Sequence, residues 1–236
     1  MIIATNVNKR FGKLQALDNV NLTCNKGQTI ALIGPNGSGK TTFIKCLLGM
    51  VIPDSGFITV NNKNIGQDWR YRQQIGYMPQ MSRFPENMSI EQVIDMVKDI
   101  RSGHERVLDE DLLKAFDLPA LYGKRMRTLS GGTRQKVSAC LAFLFNPDIL
   151  ILDEPTAGLD PVASEILKEK IKTSKAAGKL IMITSHVLSD LDELVSEIVY
   201  LQDGQLRFHK SLHKLQEETG EEKLNRVIAS IMQKSR

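Results

Sequence analysis

A chain of 236 residues is long enough for one large α/β domain, or for a domain that carries a subdomain. Its 31 basic and 27 acidic residues leave a net charge of only +4, and they form no dense basic run with interleaved aromatics. Composition therefore gives no reason to expect nucleic acid as a direct partner. The 25% charged and 42% hydrophobic residues are ordinary for a globular protein.

The cysteines and the apolar runs bear on the compartment. Cys24, Cys46 and Cys140 are far apart, and no pair has the spacing of a metal site, so we expect reduced core residues in a cytosolic chain. The first six residues lack the features of a signal peptide. No apolar run approaches the roughly 20 residues that cross a bilayer, so any action at a membrane would need a partner.

The first half of the chain predicts short strands around one helix, with turn residues between them. In chain order, we predict strands at 2–7 and 18–24 around a basic turn at 9–13, a strand at 28–33, a helix at 43–49, a strand at 57–60, a short helix at 69–74 and a strand at 75–78.

From about 81 to 128 the pattern changes to helices without strands, which indicates a helical insertion in an α/β core. Ser89 and Gln92 are spaced as a capping box that opens a helix at 90–100. After residue 130, helices alternate with strands that are apolar on both faces, as in a parallel sheet. We predict helices at 110–116, 132–145, 162–177 and 187–195, strands at 148–152, 179–184 and 197–202, a hairpin at Asp203-Gly204 leading to a strand at 206–209, and a tail helix at 221–232 with an apolar stripe of Leu224, Val227, Ile228, Ile231 and Met232.

One run, between a predicted strand and a predicted helix, fits the pattern G-x-x-x-x-G-K-[ST]. Glycines let the backbone curl so that N–H groups point at phosphate oxygens, and the helix N-terminus adds a positive dipole. Lys40 would reach the β- and γ-phosphates, and the Thr41 hydroxyl would ligate Mg²⁺. A glycine-rich turn without chemistry is the alternative. The run is Gly34-Pro35-Asn36-Gly37-Ser38-Gly39-Lys40-Thr41-Thr42.

A second chemical element lies at the end of the strand predicted at 148–152. That strand delivers Asp153 and Glu154 to the edge where α/β folds bind ligands. Asp153 would hold Mg²⁺, and Glu154 would orient and activate water for attack on the γ-phosphate. An acidic helix cap before Pro155 is the alternative.

Six motifs, which include the two described above, resemble those of an ABC-type ATPase in their order and rough spacing. The resemblance extends from residue 1 to about 210. They are similar to the family's Walker A, Q-loop, signature, Walker B, D-loop and H-switch. The fold implied is α/β: a P-loop NTPase core with a parallel sheet, an N-terminal antiparallel β subdomain and an all-helical insertion. The matching residues are Gly34–Thr42, Gln80, Leu129–Thr133, Leu150–Glu154, Ala157–Asp160 and His186.

The resemblance implies roles for single residues. Gln80 would serve Mg²⁺, the attacking water and signalling to a partner, while His186 would contact the γ-phosphate and Asp160 would communicate across a dimer. Phe11 is similar in position to the aromatic residue that stacks on adenine, more often a tyrosine. Each residue also has a structural alternative. Gln80 would be an exposed loop residue, His186 the N-terminal residue of a helix, and Phe11 a small hydrophobic anchor beside a turn.

The signature-like run is Ser130, Gly131, Gly132 and Thr133, with threonine where the family usually has glutamine. By itself it would be a helix-capping turn. In this family the signature of one subunit completes the phosphate site of the other. The resemblance therefore implies a homodimer with two ATP molecules sandwiched head to tail.

The function implied is the ATP-hydrolysing subunit of an ABC transporter, of exporter type, with ATP and Mg²⁺ as cofactors. It would be cytoplasmic, held at the inner face of the plasma membrane by a separate transmembrane permease subunit, with an ATP-binding domain at 1–215, a helical subdomain at about 81–128 and a helical tail at 216–236. Alternatives are a soluble ABC ATPase acting on a protein or nucleic-acid assembly, and a regulatory module that binds ATP without turnover. More narrowly, the run 128–136 and the short tail resemble the ATPase associated with copper-site maturation of nitrous oxide reductase.

A loop directly after Gln80 carries the apolar side chains Met81, Phe84 and Met88. Loops run on surfaces, so these side chains predict a Met-lined groove that accepts a short helix of the membrane subunit. The alternatives are packing under the helix that begins at Ile90 and, from the sulfur atoms, Cu(I) binding.

Overall fold

The computed structural model describes residues 1–66, 68–101 and 107–234. Its strands are β1 (Ile2–Phe11), β2 (Leu14–Cys24), β3 (Thr29–Ile33), β4 (Ser55–Val60), β5 (Lys63–Asn64), β6 (Ile75–Met78), β7 (Ile149–Asp153), β8 (Leu180–Thr184), β9 (Glu197–Gln202) and β10 (Gln205–Ser211). Its α-helices are α1 (Lys40–Leu47), α2 (Ile90–Ile100), α3 (Asp111–Ala115), α4 (Gly131–Phe143), α5 (Pro161–Ala176), α6 (Leu212–Thr219) and α7 (Leu224–Lys234).

The N-terminal sheet is antiparallel, with the strand order β2-β1-β4-β5. The basic turn predicted at 9–13 is wrong in extent, because Lys9, Arg10 and Phe11 belong to β1. Phe11 pairs with Leu14, so the reversal needs only two residues, and Gly12 has a positive φ of 57°. The longer strand carries the Phe11 side chain out to the end of the hairpin.

The central sheet has the order β10-β9-β3-β8-β7-β6, and only β10, at one edge, runs antiparallel to its neighbour. Every residue of β3, β7 and β8 is buried. Side chains of β3 alternate between two cores, with Ile30 and Leu32 in one and Ala31 and Ile33 in the other. One face is therefore covered by α1 and the antiparallel sheet, and the other by helices that include α4 and α5. The loop that follows β3 lies near the middle of the sheet's carboxyl edge.

Helices occupy the part of the chain between β6 and β7. The capping box is confirmed: Gln92 N donates to Ser89 Oγ at 3.2 Å, and Ser89 N donates to the Gln92 side chain at 2.9 Å. Within 81–101 and 107–128 the only β-pairing is a single bridge between Ser89 and Arg125. Residues 102–106 of the predicted insertion lie outside the described part of the chain.

The helix predicted at 187–195 is wrong. A 3-10 helix spans only Leu188–Leu191, and the chain then turns so that Leu191, Leu194 and Val195 are buried. Leu194 N and Val195 N still donate to Leu191 O, but tertiary bonds hold the rest of the backbone. Lys175 Nζ donates to Leu194 O at 3.0 Å, and Ser196 N donates to Thr29 O at 2.8 Å. Local propensity is overridden by packing at this point.

Helix α6 (Leu212–Thr219) runs across the predicted boundary at 215/216. Helix α7 begins at Leu224, three residues later than predicted, where Leu224 N donates to Asp192 Oδ1 at 2.8 Å. Leu224, Val227 and Ile228 of the predicted stripe are buried and Ile231 is partly buried in the same core. The Met232 side chain and residues 235–236 lie outside the described part.

The three cysteines are buried, as predicted. Burial raises the pKa of Cys24 to about 12 and that of Cys46 to about 11, which keeps both thiols protonated and unreactive. Over the described ranges, no helix combines the length and the apolar character needed to cross a membrane.

Candidate active site

Four parallel strands deliver side chains to one cavity of about 370 Å³. The strands β3, β6, β7 and β8 all end at the same edge of the sheet, so residues distant in sequence meet there. The cavity is lined by Phe11, Leu14, Ala16, Asn36, Gly37, Ser38, Gly39, Lys40, Thr41, Thr42, Gln80, Asp153, Glu154, Thr184, Ser185 and His186.

The glycine-rich loop occupies the floor of this cavity, between β3 and α1. Helix α1 starts at Lys40, inside the loop pattern and three residues before the predicted start. Gly39 caps it with a φ of 104°, and a Cβ atom there would lie 2.5 Å from Ala16 O. Only glycine fits this position, and the first turn of α1 therefore faces the cavity with its unpaired N–H groups.

The Lys40 ammonium lies along the loop. Its Nζ donates to Gly34 O at 2.7 Å and to Pro35 O at 3.0 Å. Partial burial lowers the pKa of Lys40, although the carboxylates of Asp153 and Glu154 oppose the shift. A cation at this place can transfer its hydrogen bonds from carbonyl oxygens to phosphate oxygens.

Three predicted catalytic residues meet at one carboxylate oxygen. Glu154 Oε1 accepts a hydrogen bond from Gln80 Nε2 at 2.9 Å and lies 3.0 Å from His186 Nε2. The Glu154 side chain is mostly buried and the His186 side chain is half exposed. The structure thus brings together residues that are 74 and 32 positions apart in the sequence.

The backbone of Glu154 is unusual. Its φ is 52°, in the left-handed region. Among the described residues, seven other non-glycine residues have positive φ, and all seven are asparagine or aspartate. Glu154 N donates to Thr184 O at 3.1 Å and approaches Thr184 Oγ1 at 3.2 Å. These bonds to β8 hold the carboxylate at the cavity.

Asp153 is buried beside Glu154, and its Oδ1 accepts a hydrogen bond from Thr184 Oγ1. Asp153, Thr41 and Gln80 line the same cavity and offer carboxylate, hydroxyl and amide oxygens, which are the ligands that Mg²⁺ prefers. Gln80 uses its amide nitrogen on Glu154, which leaves its oxygen for a cation. The donor set therefore fits Mg²⁺.

Thr184 is a functional residue that sequence reasoning missed. It bridges Asp153 and Glu154, yet the sequence places it only as the last residue of a strand. A hydroxyl at the end of a buried apolar strand was the available signal.

Phe11 forms the outer wall of the cavity, as its predicted role requires. Its side chain is 48% exposed, and Lys9 Nζ lies 5.4 Å from the ring centroid. One face of an aromatic ring is therefore accessible at the mouth of the cavity.

The signature-like residues do not line this cavity. Ser130 caps α4, accepting a hydrogen bond from Thr133 N at 3.2 Å, and its hydroxyl lies 2.9 Å from Thr133 Oγ1. A Cβ atom on Gly132 would lie 2.8 Å from Gly158 O, whereas Gly131 has open space around it. The run therefore packs on residues 157–160 of its own chain and leaves Gly131 uncovered.

Asp160 connects the same two segments. It caps α5 by accepting from Ala163 N at 2.9 Å, and Lys136 Nζ of α4 lies 2.8 Å from its Oδ2. The Lys136 ammonium holds the pKa of Asp160 below its usual range.

The loop after Gln80 differs from its prediction in part. Met81 is exposed, but Phe84 and Met88 are partly buried and pack against the core. A groove of about 350 Å³ does lie there, and Phe84 is the one predicted side chain that lines it. The groove is lined by Ser82, Arg83, Phe84, Glu86, Met126 and Arg134.

Comparison with known proteins places this architecture in a family. Residues 17–157 match the family described as ABC transporter. The chain belongs to that family. Its domain is an ABC ATPase that binds ATP, and the predicted fold class is confirmed.

Individual relatives support the same assignment. The Nod factor export ATP-binding protein I of Ralstonia nicotianae is 30% identical over 88% of this chain and 66% of its own length, so the chain spans about two thirds of that relative. The lantibiotic transport ATP-binding protein SrtF of Streptococcus pyogenes is 34% identical over 89% of this chain and 90% of its own length. A solved ATP-binding subunit of an ABC transporter superposes with a TM-score of 0.90 at 27% identity, covering 98% of this chain and 99% of the other.

Proposed function

We propose that this chain hydrolyses ATP as a subunit of an ABC transporter of exporter type, and that closure of an ATP-bound homodimer drives a separate transmembrane permease. The observation that carries the proposal is the contact of Glu154 Oε1 with Gln80 and His186 at the mouth of the phosphate loop. The Gln80 amide would face the metal and the His186 imidazole would face the γ-phosphate. A carboxylate held between them is placed to activate water.

The loop and its lysine bind the phosphates. The N–H groups of the first turn of α1 and the Lys40 ammonium offset the negative charge of ATP, with the helix dipole adding to them. Mg²⁺, held by Thr41, Asp153 and the Gln80 oxygen, would neutralise charge on the β- and γ-phosphates. Phe11 stacks on the base without reading its hydrogen-bonding edge.

Hydrolysis then follows from positions around the γ-phosphate. Glu154 accepts a proton from the attacking water, and Gln80 fixes the direction of the carboxylate by its 2.9 Å bond. His186 Nε2 donates to the γ-phosphate once the carboxylate turns to water. Ser130, Gly131 and Gly132 of the second subunit complete the donor set, since in this chain they lie outside the cavity.

The experiment that tests this function is Glu154→Gln, which keeps the shape of the side chain and removes the base. Turnover should fall by at least ~100-fold, the scale of a positioned base, while ATP affinity holds or rises. The ATP-bound dimer should then accumulate, which size-exclusion chromatography would detect. Phosphate release near the wild-type rate would refute the role of Glu154.

The groove after Gln80 is the proposed docking site of the permease. Ser82 Oγ and Arg134 Nε are buried and have no hydrogen-bond partner among the described residues. Phe84 and Met126 supply apolar surface beside these polar atoms. A short helix of a membrane subunit would satisfy both kinds of group, and it would hold the ATPase at the cytoplasmic face of the membrane.

Phe84→Asp should abolish permease association while ATP binding by the isolated subunit persists. Met81→Asp, at a side chain that is 73% exposed and outside the groove, is the matched control and should still assemble. Co-purification with the permease measures both. Assembly by the Phe84 variant, or equal loss in both variants, would place the docking site elsewhere.

The exporter direction is supported by the relative named for Nod factor export. The narrower resemblance, to the ATPase associated with copper-site maturation of nitrous oxide reductase, rests on the run 128–136 and the short tail. Deleting the gene in a host that makes nitrous oxide reductase, and measuring copper in that enzyme, would test it.

A further inference from the structure

Asp190 links the chain segment after His186 to the segment after Glu154. It lies on the 3-10 helix Leu188–Leu191, and its side chain is 28% exposed. Its Oδ2 accepts a hydrogen bond from Thr156 Oγ1 at 3.0 Å, and its Oδ1 accepts one from Lys168 Nζ at 3.2 Å. Each carboxylate oxygen is thus bound to a different part of the chain.

The bond of Asp190 to Thr156 lies close in sequence to the contact of His186 with Glu154. Thr156 is two residues after Glu154, and Asp190 is four residues after His186. The chain segments 154–156 and 186–190 therefore touch at two points. One is the 3.0 Å contact of His186 with Glu154, and the other is the bond of Asp190 to Thr156.

No side chain from Ser185 to Asp190 is fully buried. The side chains of His186 and Val187 are more than half exposed, and a local turn joins Ser185 to Val187. The first buried side chain after them is Leu191. Partly buried Leu188 and buried Leu191 anchor the segment in the core. The bonds of the Asp190 carboxylate add a polar connection to Thr156 and Lys168.

We infer that Asp190 is a positioning residue for hydrolysis, which sets the distance between His186 and Glu154 by bonding to Thr156. The inference rests on the proposed function of Glu154 and His186. Lys168 keeps the carboxylate oriented, because an ammonium bound to Oδ1 leaves Oδ2 turned towards the threonine hydroxyl.

Removing either partner should lower kcat without weakening ATP binding. Thr156→Val replaces the hydroxyl by a methyl group of similar size, and Asp190→Ala removes the carboxylate. We expect kcat to fall by at least about 10-fold in each, since a misplacement on the order of 1 Å can cost roughly 100-fold. The KM for ATP should stay within about twofold, because neither residue lines the cavity.

Two further variants separate positioning from general stability. Thr156→Ser keeps the hydroxyl and should restore kcat. Glu193→Gln is the control, because it removes a different ion pair to α5, in which Glu193 Oε2 lies 2.8 Å from Lys172 Nζ, and it has no recorded contact with residues 154–156 or 186–190. It should leave kcat unchanged. The double variant Thr156→Val/Asp190→Ala should be no slower than the slower single variant.

The outcomes distinguish this role from the proposed function. The wild type and Glu154→Gln are measured in the same series, so an inactive wild type would overturn both. An active wild type with unchanged kcat in Thr156→Val would overturn the role of Asp190 alone. So would an equal loss in Glu193→Gln, or a serine variant as slow as the valine variant. If Asp190→Ala does not fold, the valine and serine pair decides the question.

Discussion

The phosphate edge and the signature edge of this chain are built in opposite ways. At the phosphate edge, Lys40, Gln80 and His186 extend side chains into a shared cavity, and their hydrogen bonds can be exchanged for those of a ligand. At the signature edge, Ser130 and Asp160 use their oxygens to cap the helices that follow them. Polar side chains of the phosphate edge point into a cavity that can hold a ligand. Polar side chains of the signature edge are used within the chain itself.

The difference teaches where the second subunit is needed. A donor set that is fixed by helix caps needs no reorganisation when a phosphate arrives, which is the condition for strong electrostatic stabilisation. Yet it lies outside the cavity of its own chain. Under the proposed function, binding would therefore need one chain, and completion of the reaction would need two.

The largest loss of ATPase activity should come from variants that each damage one of the two edges. Lys40→Ala removes the phosphate's counter-charge, and Ser130→Arg fills the signature with a large cation. Each variant alone should lose at least about 100-fold in ATPase rate, as with the loss of a transition-state donor. In an equal mixture, each heterodimer has one site with both defects and one with neither, so activity should return in part.

The mixing experiment needs proof that heterodimers form, which two different affinity tags supply. Heterodimers without any regained activity would contradict a site shared between chains. An ATPase rate near the wild-type value in unmixed Lys40→Ala protein would instead contradict the role of the lysine.

A smaller effect is expected where the signature packs on its own chain. Gly132→Ala would bring a Cβ atom to 2.8 Å from Gly158 O, and relieving that contact should lower the Tm of the isolated subunit by about 3–10 °C. Gly131→Ala meets no atom within 4 Å and is the matched control, with an unchanged Tm. Thermal unfolding followed by circular dichroism measures both, and equal Tm values would show that residues 131–132 do not pack as described.

The smallest effect is expected at Phe11, in the wall of the cavity. Phe11→Ala should raise the KM for ATP by about 5- to 10-fold, the lower part of the range for stacking on a base, because the ring is half exposed. Phe11→Tyr keeps the aromatic face and should leave KM near the wild-type value. A change in kcat without a change in KM would assign Phe11 a different role.

The sequence predicted the phosphate edge well because its signals are local. A strand, a glycine-rich loop and a helix follow one another between residues 28 and 49, and apolar strands that end in polar residues predict where side chains converge. The α2 capping box was correct for the same reason, since Ser89 and Gln92 are three residues apart. Each of these predictions needed only neighbours in the chain.

What the sequence did not predict depends on contacts between distant segments. The helix expected at 187–195 gives way to a 3-10 turn at Leu188–Leu191. Lys175 binds the Leu194 carbonyl, and Thr29 binds Ser196 just beyond the segment. The hydroxyl of Thr184 and the carboxylate of Asp190 gain their roles only when β7 and β8 lie side by side. Phe84 and Met88 likewise pack on a core that no local pattern describes.

The left-handed backbone at Glu154 has a consequence for how this chain can change. A glutamate in that region costs about 1–2 kcal/mol relative to ordinary backbone conformations, a penalty that glycine would not carry. Under the proposed role of Glu154, a glycine here would relieve the backbone penalty and remove the base at once. A relative with glycine at position 154 would then be expected to bind ATP without hydrolysing it.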